Sequence, residues 1–362
     1  MASASEVVLD GLTLTLEDVE RVALDLSVRV RLSDEAAERM VASRNFIEEL
    51  VETGEPVYGV TTGFGRLADV AVAPDEREAL QRNLVRSHAS GVGSPMDRAS
   101  VRALMLLRAN ALARGNSGCR VLVVEQLLQL LNAGIHPRVP EFGSVGASGD
   151  LAPLAHVALG LLGEGLAEYS GDEQSVETAM ATEGIAPLTL GSKEGLALIN
   201  GTQATTGLGL LALKAAERAV EVTEVAGAMS LEALLGTPEP FRKEIHEARP
   251  HKGQGISASR LRTLLVDSEI RASHQEDDPR VQDAYSLRCM PQVHGAAREA
   301  LGYVRGILEV EANSATDNPL VFPSAEVVVS GGNFHAQIVA QALDLLTIAV
   351  TDLAAISERR IE

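Results

Sequence analysis

Apolar residues recur at spacings of three and four along most of this chain, which is the pattern of helices with one buried face. The pattern predicts helices over residues 32–53, 97–114, 119–132, 151–162, 208–235, 291–310 and 333–361. Several of them end beside a glycine, as helices commonly do, at Gly54, Gly115, Gly134 and Gly236. A short apolar segment at residues 327–329 predicts a small hairpin. We therefore expect an all-α protein, a long-helix bundle with a loop-rich N-terminal domain.

Two domains are expected from a length of 362 residues, because domains average ~150 residues. We predict an N-terminal domain at residues 1–203 and a helical-bundle domain at residues 204–362, which ends inside a helix. Tryptophan is absent and aromatic residues make up 3% of the chain, so the core has to be aliphatic. The most apolar stretch, residues 338–356, contains Asp344 and Asp352, which would be costly in lipid. We predict a buried bundle helix there and no membrane partner.

Acidic residues outnumber basic ones by 50 to 31, and the net charge of −19 argues against nucleic acid or an anionic membrane surface as partner. Cys119 and Cys289 are the only cysteines and lack metal-type spacing, which favours a reduced, cytoplasmic compartment. His246, His251 and His274 lack the companions of a metal site, so no metal is expected. The first ten residues have neither the basic region nor the apolar run of a signal peptide.

A glycine-rich turn at residues 143–149 leads directly into a helix that Asp150 and Pro153 are predicted to open. Within it, Ala147-Ser148-Gly149 can react with itself if the fold compresses it. The Gly149 nitrogen attacks the Ala147 carbonyl carbon, and loss of two waters leaves a ring with an exocyclic methylidene, an electrophile that no unmodified side chain provides. A glycine suits the attacking nitrogen, because a Cβ would hinder its approach. An unreactive glycine-rich loop would have a similar sequence.

The segment Gly146–Leu154, Gly-Ala-Ser-Gly-Asp-Leu-Ala-Pro-Leu, resembles the signature of the ammonia-lyases and aminomutases that form 4-methylideneimidazole-5-one (MIO) from Ala-Ser-Gly. The resemblance implies that Ala147, Ser148 and Gly149 form this ring as the cofactor. It also implies a small amino acid as the substrate. The resemblance further implies a homotetramer of long helices, in which several subunits contribute to each site.

Tyr58 opens the segment Tyr-Gly-Val-Thr-Thr-Gly-Phe-Gly, which is too rich in glycine and threonine for a helix. The segment also lacks the third glycine and the lysine of nucleotide-binding loops. Taken alone, it predicts a surface turn in which Tyr58 is the hydrophobic residue. The resemblance instead implies that this loop covers the electrophile and that Tyr58 is the catalytic base.

Two further positions have both a local and a catalytic interpretation. His88 lies near the end of a predicted helix, where a histidine is more often solvated or capping. Ser87-His88, however, resembles the histidine-specific pattern of the family, in which this position faces the substrate side chain. Asn200 ends an apolar run and by itself predicts a helix C-cap. The segment Leu-Ile-Asn-Gly-Thr-Gln resembles a family motif that places the Asn200 amide beside the electrophile.

Gln282, Tyr285 and Arg288 recur every three residues, so a tight helical turn would bring them near one face. A polar helix surface would show the same pattern. The segment resembles the family's Gln-Asp-x-Tyr-Ser-Leu-Arg, which implies that Arg288 binds the substrate carboxylate while Gln282 and Tyr285 order the centre. A planar guanidinium suits a carboxylate because it offers two parallel hydrogen bonds. Gly-Gly-Asn-Phe-His at residues 331–335 implies in the same way that Phe334 borders the active site.

These resemblances together imply that the chain eliminates ammonia from L-histidine to give trans-urocanate. A tyrosine or phenylalanine ammonia-lyase, or an aminomutase, would use the same ring and stays open as an alternative. Family members continue past the last helix into a region with a glutamate that helps position the histidine substrate, whereas this chain stops at Glu362. A short or truncated helical scaffold with weak or no turnover is therefore the third possibility.

Overall fold

The structure, a computed structural model, describes residues 6–53, 57–63, 65, 72–73, 76–274, 276, 278 and 280–362. The chain forms two compact units. The first unit contains Met1–Leu211 and Leu308–Ala340, and the second contains Ala212–Ile307 and Gln341–Glu362. The boundaries between them fall inside three long helices. The domain division at residue 203 stays a prediction.

Helices dominate both units, which confirms the all-α prediction. They are α1 (Leu16–Leu24), α2 (Asp34–Thr53), α3 (Arg77–His88), α4 (Arg98–Ala113), α5 (Val121–Ala133), α6 (Leu151–Leu161), α7 (Val176–Glu183), α8 (Glu194–Ile199), α9 (Gln203–Ala233), α10 (Lys243–Glu247), α11 (Lys252–Leu264), α12 (Glu269–Ala272), α13 (Tyr285–Arg288), α14 (Met290–Ala312) and α15 (Gln337–Ile361). Short 3-10 helices lie at Glu239–Phe241 and Pro323–Ala325. The long helices predicted from periodicity are all present within a few residues of their expected ends.

Short strands join the helices at the edges of the first unit. They are β1 (Glu6–Leu9), β2 (Arg29–Leu32), β3 (Val92–Pro95), β4 (His136–Pro137), β5 (Pro140–Phe142), β6 (Leu166–Tyr169), β7 (Asp172–Ser175), β8 (Leu320–Phe322) and β9 (Val327–Val329). β1 pairs with β2 in parallel. The antiparallel pairs are β3 with β5, β6 with both β4 and β7, and β8 with β9. The β8–β9 pair is the hairpin predicted around residues 327–329.

Helix α4 lies at the centre of the first unit and contacts α1, α2 and α5. Its first turn is capped by Asp97, whose carboxylate accepts the Ser100 backbone N–H at 2.9 Å. Nearly every residue of α4 is buried, including the polar residues Arg102 and Arg108. Buried guanidinium groups need acceptors on all sides. They therefore connect α4 to neighbouring backbone carbonyls, and Arg108 does so beside the candidate site.

The second unit has its own aliphatic core. One cluster of buried residues joins α9, α11 and the start of α14, and consists of Ala228, Leu231, Phe241, Ala258, Leu261, Leu265, Leu287 and Met290. Phe241 is its single aromatic residue. This composition agrees with the expectation that a chain poor in aromatic residues packs through leucine and alanine.

Helix α15 is less buried than the sequence predicted. Val339, Ala342, Leu346, Ala349, Leu353 and Ile356 form a buried stripe at helical spacing, whereas Ile338 and Ile348 are exposed. Among the described residues, two segments are long and apolar enough to cross a membrane: Glu194–Ala233, whose apolar window is 78% buried, and α15, whose window is 28% buried. A largely buried window is typical of a core helix. The sequence predicts a buried bundle helix here, and the structure covers one apolar face of α15.

Candidate active site

The Ala147-Ser148-Gly149 segment forms a tight turn whose two ends differ in exposure. The Ser148 N–H donates to the Val145 carbonyl at 2.7 Å, and the Gly149 N–H donates to Gly146 O at 3.4 Å. Ala147 and Ser148 are exposed, whereas Gly149 is buried. Gly149 has a φ of +86°, in the left-handed region that favours glycine. The nitrogen that would attack is thus held at the buried end of the turn.

Asp150 fixes this buried end. Its carboxylate accepts hydrogen bonds from the Ser144 hydroxyl, from Thr205 N at 2.8 Å and from Thr205 Oγ1 at 2.7 Å. Its own N–H donates to Gly201 O at 2.7 Å. Asp150 precedes α6, as predicted, but its side chain makes no capping bond to that helix. The carboxylate lies instead at the N-terminus of α9, where the helix dipole favours a negative charge.

The turn Asn200-Gly201-Thr202 between α8 and α9 lies against the same end. Asn200 is the C-cap residue of α8, which confirms the local prediction for this position. Its side-chain amide also donates to Ser148 O at 3.4 Å. Ser148 O would become the carbonyl oxygen of an MIO ring. The Asn200 amide therefore faces an atom of the expected electrophile.

The space around Gly149 is tight for a side chain, and its positive φ disfavours one as well. A Cβ there would lie 3.1 Å from Gly201 O, 3.3 Å from Phe334 O and 3.4 Å from the Asn200 amide nitrogen. Side chains rarely approach backbone oxygens so closely. The Ala336 N–H holds the other side of the turn by donating to Gly146 O at 3.0 Å. A tight turn that favours glycine at the third position of the triplet fits the chemistry of ring formation.

Buried charges hold α8 and the turn that follows it. Arg108 is fully buried and donates to the Ala197 carbonyl before the turn and to Gln203 Oε1 after it, the latter at 2.9 Å. Burial lowers the pKa of Arg108. Lys193, just before α8, forms a buried ion pair with Asp317 at 2.8 Å. The position of Asn200 is thus set from both sides of its turn.

Tyr58 and His88 lie in the first unit as well. Tyr58 is half-buried, and its hydroxyl accepts the Gly65 N–H at 3.4 Å. Phe64, Arg66 and Leu67, the remaining residues of that predicted loop, lie outside the described residues. His88 is the last residue of α3, and its Nδ1 lies 2.9 Å from Leu84 O. The catalytic roles of both side chains stay predictions.

The comparisons with known proteins agree with this geometry. The aromatic amino acid lyase family matches residues 14–362. Histidine ammonia-lyase of Caldanaerobacter subterraneus subsp. tengcongensis is 51% identical over 357 residues, which are 99% of this chain and 70% of that relative. This chain belongs to the aromatic amino acid lyase family.

Solved structures of two kinds of family member share the fold. The crystal structure of histidine ammonia-lyase from Trypanosoma cruzi has a TM-score of 0.89 and 43% identity, covering 98% of this chain and 66% of that one. Tyrosine aminomutase from Streptomyces globisporus has a TM-score of 0.92 and 42% identity, covering 98% of this chain and 70% of that one. The aromatic amino acid lyase fold is therefore shown for nearly the whole chain, which spans about two thirds of the length of these relatives.

The second unit of this lyase contains the predicted residues Gln282, Tyr285 and Arg288, whereas Phe334 lies in the first unit. Tyr285 and Arg288 begin and end α13, and the Arg288 guanidinium carbon lies 5.8 Å from the centre of the Tyr285 ring. Gln282 is exposed and precedes the helix, so the tight turn includes two of the three expected residues. Tyr285 also lines a cavity of about 620 Å³ with Leu345 and Ile348. Their roles in binding stay predictions.

The contact between Thr202 and Glu311 is among those that sequence reasoning missed in this lyase. Thr202, which is fully buried, donates from Oγ1 to Glu311 Oε1 at 2.6 Å. Burial raises the pKa of Glu311, the hydrogen bond from Thr202 lowers it, and the charge of Asp150 raises it again. Glu311 is 109 residues from Thr202, and in the sequence it directly follows the helix predicted at residues 291–310. No local pattern distinguishes it, whereas Thr202 lies inside the motif around Asn200.

Proposed function

We propose that this chain eliminates ammonia from L-histidine to give trans-urocanate, with an MIO ring formed from Ala147, Ser148 and Gly149. The observation that carries the proposal is the contact of the Asn200-Gly201 turn with Ser148 and Gly149. This contact leaves little room for a Cβ at the third position of the triplet, where the positive φ also favours glycine. The 51% identity to a relative named histidine ammonia-lyase supports histidine as the substrate.

Ring formation needs only atoms of the triplet. A bond forms between the Gly149 nitrogen and the Ala147 carbonyl carbon. The Ala147 oxygen leaves as water with the protons of the Gly149 and Ser148 nitrogens. The Ser148 hydroxyl leaves as a second water with the Ser148 Cα proton. When formed, the ring supplies an electrophilic methylidene carbon, which activates an amine as a leaving group.

Other side chains are assigned to proton removal and to binding of the substrate. The proton to be removed lies on the substrate Cβ and is weakly acidic, and we assign its removal to Tyr58. Arg288 binds the substrate carboxylate with two parallel hydrogen bonds. Gln282 and Tyr285 order the reacting centre, and Phe334 borders the site.

His88 selects the substrate side chain. Its Nδ1 lies 2.9 Å from Leu84 O, which can only accept, and 3.1 Å from the Ser87 hydroxyl, and we assign the proton to Nδ1. In the neutral ring Nε2 is then an acceptor. An imidazole N–H satisfies that acceptor, whereas a phenyl ring leaves it unpaired, which is costly in a closed site.

The assembly and compartment follow from the family and from the cysteines. We propose a homotetramer in which several subunits complete each site. Both cysteines are free, Cys119 buried and Cys289 half-buried, which suits a cytoplasmic protein.

Two measurements test the function. The mass of the intact chain should be lower than the mass expected from the sequence by two waters. The chain incubated with L-histidine should then produce the absorbance of urocanate. An unmodified mass contradicts ring formation, and a modified mass without urocanate contradicts the choice of substrate.

A tyrosine aminomutase is the second candidate, because the Streptomyces globisporus aminomutase superposes with a TM-score of 0.92. A phenol O–H could also donate to His88 Nε2. Incubation with L-tyrosine and L-phenylalanine, followed by chromatography of the products, separates the two. A β-amino acid product indicates an aminomutase, and an unsaturated acid indicates a lyase.

A further inference from the structure

Glu311 supports the turn that holds the reacting triplet without touching the triplet itself. Its carboxyl accepts the Thr202 hydroxyl at 2.6 Å, and the Thr202 side chain is completely buried. Thr202 O also accepts the Thr206 N–H at 2.9 Å and so begins α9. The Thr202 hydroxyl is therefore held by α14, and the Thr202 carbonyl oxygen is held by α9.

The peptide next to Thr202 is the one that meets the triplet. Gly201 O accepts the Asp150 N–H at 2.7 Å and would lie 3.1 Å from a Cβ on Gly149. Rotation of the Thr202 side chain away from Glu311 would free the Gly201–Thr202 peptide to turn. The carbonyl that holds the Gly149–Asp150 segment would then lose its fixed direction.

Attack of the Gly149 nitrogen on the Ala147 carbonyl is an intramolecular step, so its rate depends on how often the two atoms are held close together. A contact that restricts the Gly149 end of the turn raises that fraction. Substrate binding and proton removal involve other side chains. A contact behind the triplet should therefore affect how fast the ring forms and leave the finished site unchanged.

We propose that Glu311 is a positioning residue for ring formation, acting through Thr202 and Gly201 rather than on the substrate. This inference rests on the proposed function, since it concerns the rate at which the same ring appears. Burial raises the pKa of Glu311, the hydrogen bond from Thr202 lowers it, and the charge of Asp150 raises it. What the Thr202 hydroxyl needs from Glu311 is an acceptor oxygen at hydrogen-bond distance. A neutral amide oxygen should replace it as the acceptor of the Thr202 hydrogen bond.

The test follows ring formation by intact-chain mass spectrometry at intervals after cell-free synthesis of the full chain. T202V and E311L should lose the two waters about tenfold more slowly than the parent, which corresponds to one lost hydrogen bond. T202S and E311Q keep the hydrogen bond and should form the ring at the parent rate. T206V is the matched control. Thr206 is buried in the first turn of α9, four residues after Thr202, and its hydroxyl has no partner among the described residues. E311L gives a second route to the answer if T202V does not fold.

Chains that have completed the ring give the second readout. Their kcat and KM for L-histidine should equal those of the parent, because Glu311 acts before turnover begins. Parent-rate ring formation in both T202V and E311L, or equal slowing in T206V, overturns the inference while leaving the proposed function intact. Failure of the parent chain to lose two waters overturns both. A lower kcat in fully cyclised E311L would also overturn the inference, since it would place Glu311 in turnover.

Discussion

The two ends of the turn that contains Ala147, Ser148 and Gly149 are held by different kinds of contact. At the buried end, Gly149 and Asp150 are enclosed by side chains and carbonyls from α8, α9 and residue 334. At the exposed end, the Ser148 N–H donates to the Val145 carbonyl within the turn, and the Asn200 amide donates to Ser148 O from outside it. The Gly149 nitrogen, which has to stay in place for the attack, belongs to the buried end. The Ser148 hydroxyl, which leaves as water, belongs to the exposed end. Most of the contacts that restrict the triplet therefore lie at its buried end.

The largest effect should come from the exposed end. S148A removes the hydroxyl whose loss creates the methylidene, so urocanate formation should fall below detection. The side chain is exposed, so the melting temperature should change by no more than about 2 °C. S259A, at an exposed serine of α11, is the control, and it should retain the ring. Loss of two waters by S148A would contradict the assignment of the triplet.

The next effect should come from the buried end and concern stability. A Cβ on Gly201 would collide with Gln203 Oε1 and Arg108 and would lie 2.9 Å from Thr316 O. G201A should therefore lower the free energy of unfolding by about 3 kcal/mol, as overpacking does. G146A is the comparison at the exposed end, because its Cβ would lie 3.5 Å from the Ala336 Cβ, an ordinary contact. Urea unfolding measures both, and equal losses would remove the distinction between the ends.

Local sequence patterns predicted what depends on near neighbours. The helices follow from periodicity, and the C-cap at Asn200 and the break at Gly134 follow from residue type. The catalytic motifs came from resemblance, which placed Asn200 beside the triplet before any geometry was known. In the first unit, the Asn200 amide donates to Ser148 O.

Contacts between distant segments could not be predicted in this way. The Asp150 side chain has the right type and position to cap α6, yet it binds Thr205 of α9. Nothing within a few residues of Asp150 distinguishes these two outcomes, because the choice depends on where α9 begins in space. Thr202–Glu311 and Arg108–Gln203 are of the same kind. A single sequence shows which residues are able to bond, and the packing decides which of them meet.

A smaller effect at the buried end should come from Asp150. D150N replaces one carboxylate oxygen with a donor, so one of the two bonds to Thr205 or the bond to Ser144 is lost, and with it the charge at the α9 N-terminus. The free energy of unfolding should fall by about 2 kcal/mol. D172N, at an exposed position of β7, is the control and should change it by less than about 0.5 kcal/mol. Similar values for the two variants would show that the buried end does not depend on this carboxylate.

The smallest effect should come from the Val145 side chain, and its size tests whether that side chain helps to hold the exposed end. Val145 is 62% exposed, and its carbonyl accepts the Ser148 N–H. V145A keeps that carbonyl in place, so stability should change by less than about 0.5 kcal/mol and the ring should form at the parent rate. V145G keeps the carbonyl too but adds backbone freedom, which should destabilise the turn by about 1 kcal/mol and slow ring formation. Intact mass over time and urea unfolding measure both variants. If V145A slowed ring formation as much as V145G, the side chain would contribute to compression, and the exposed end would resemble the buried one.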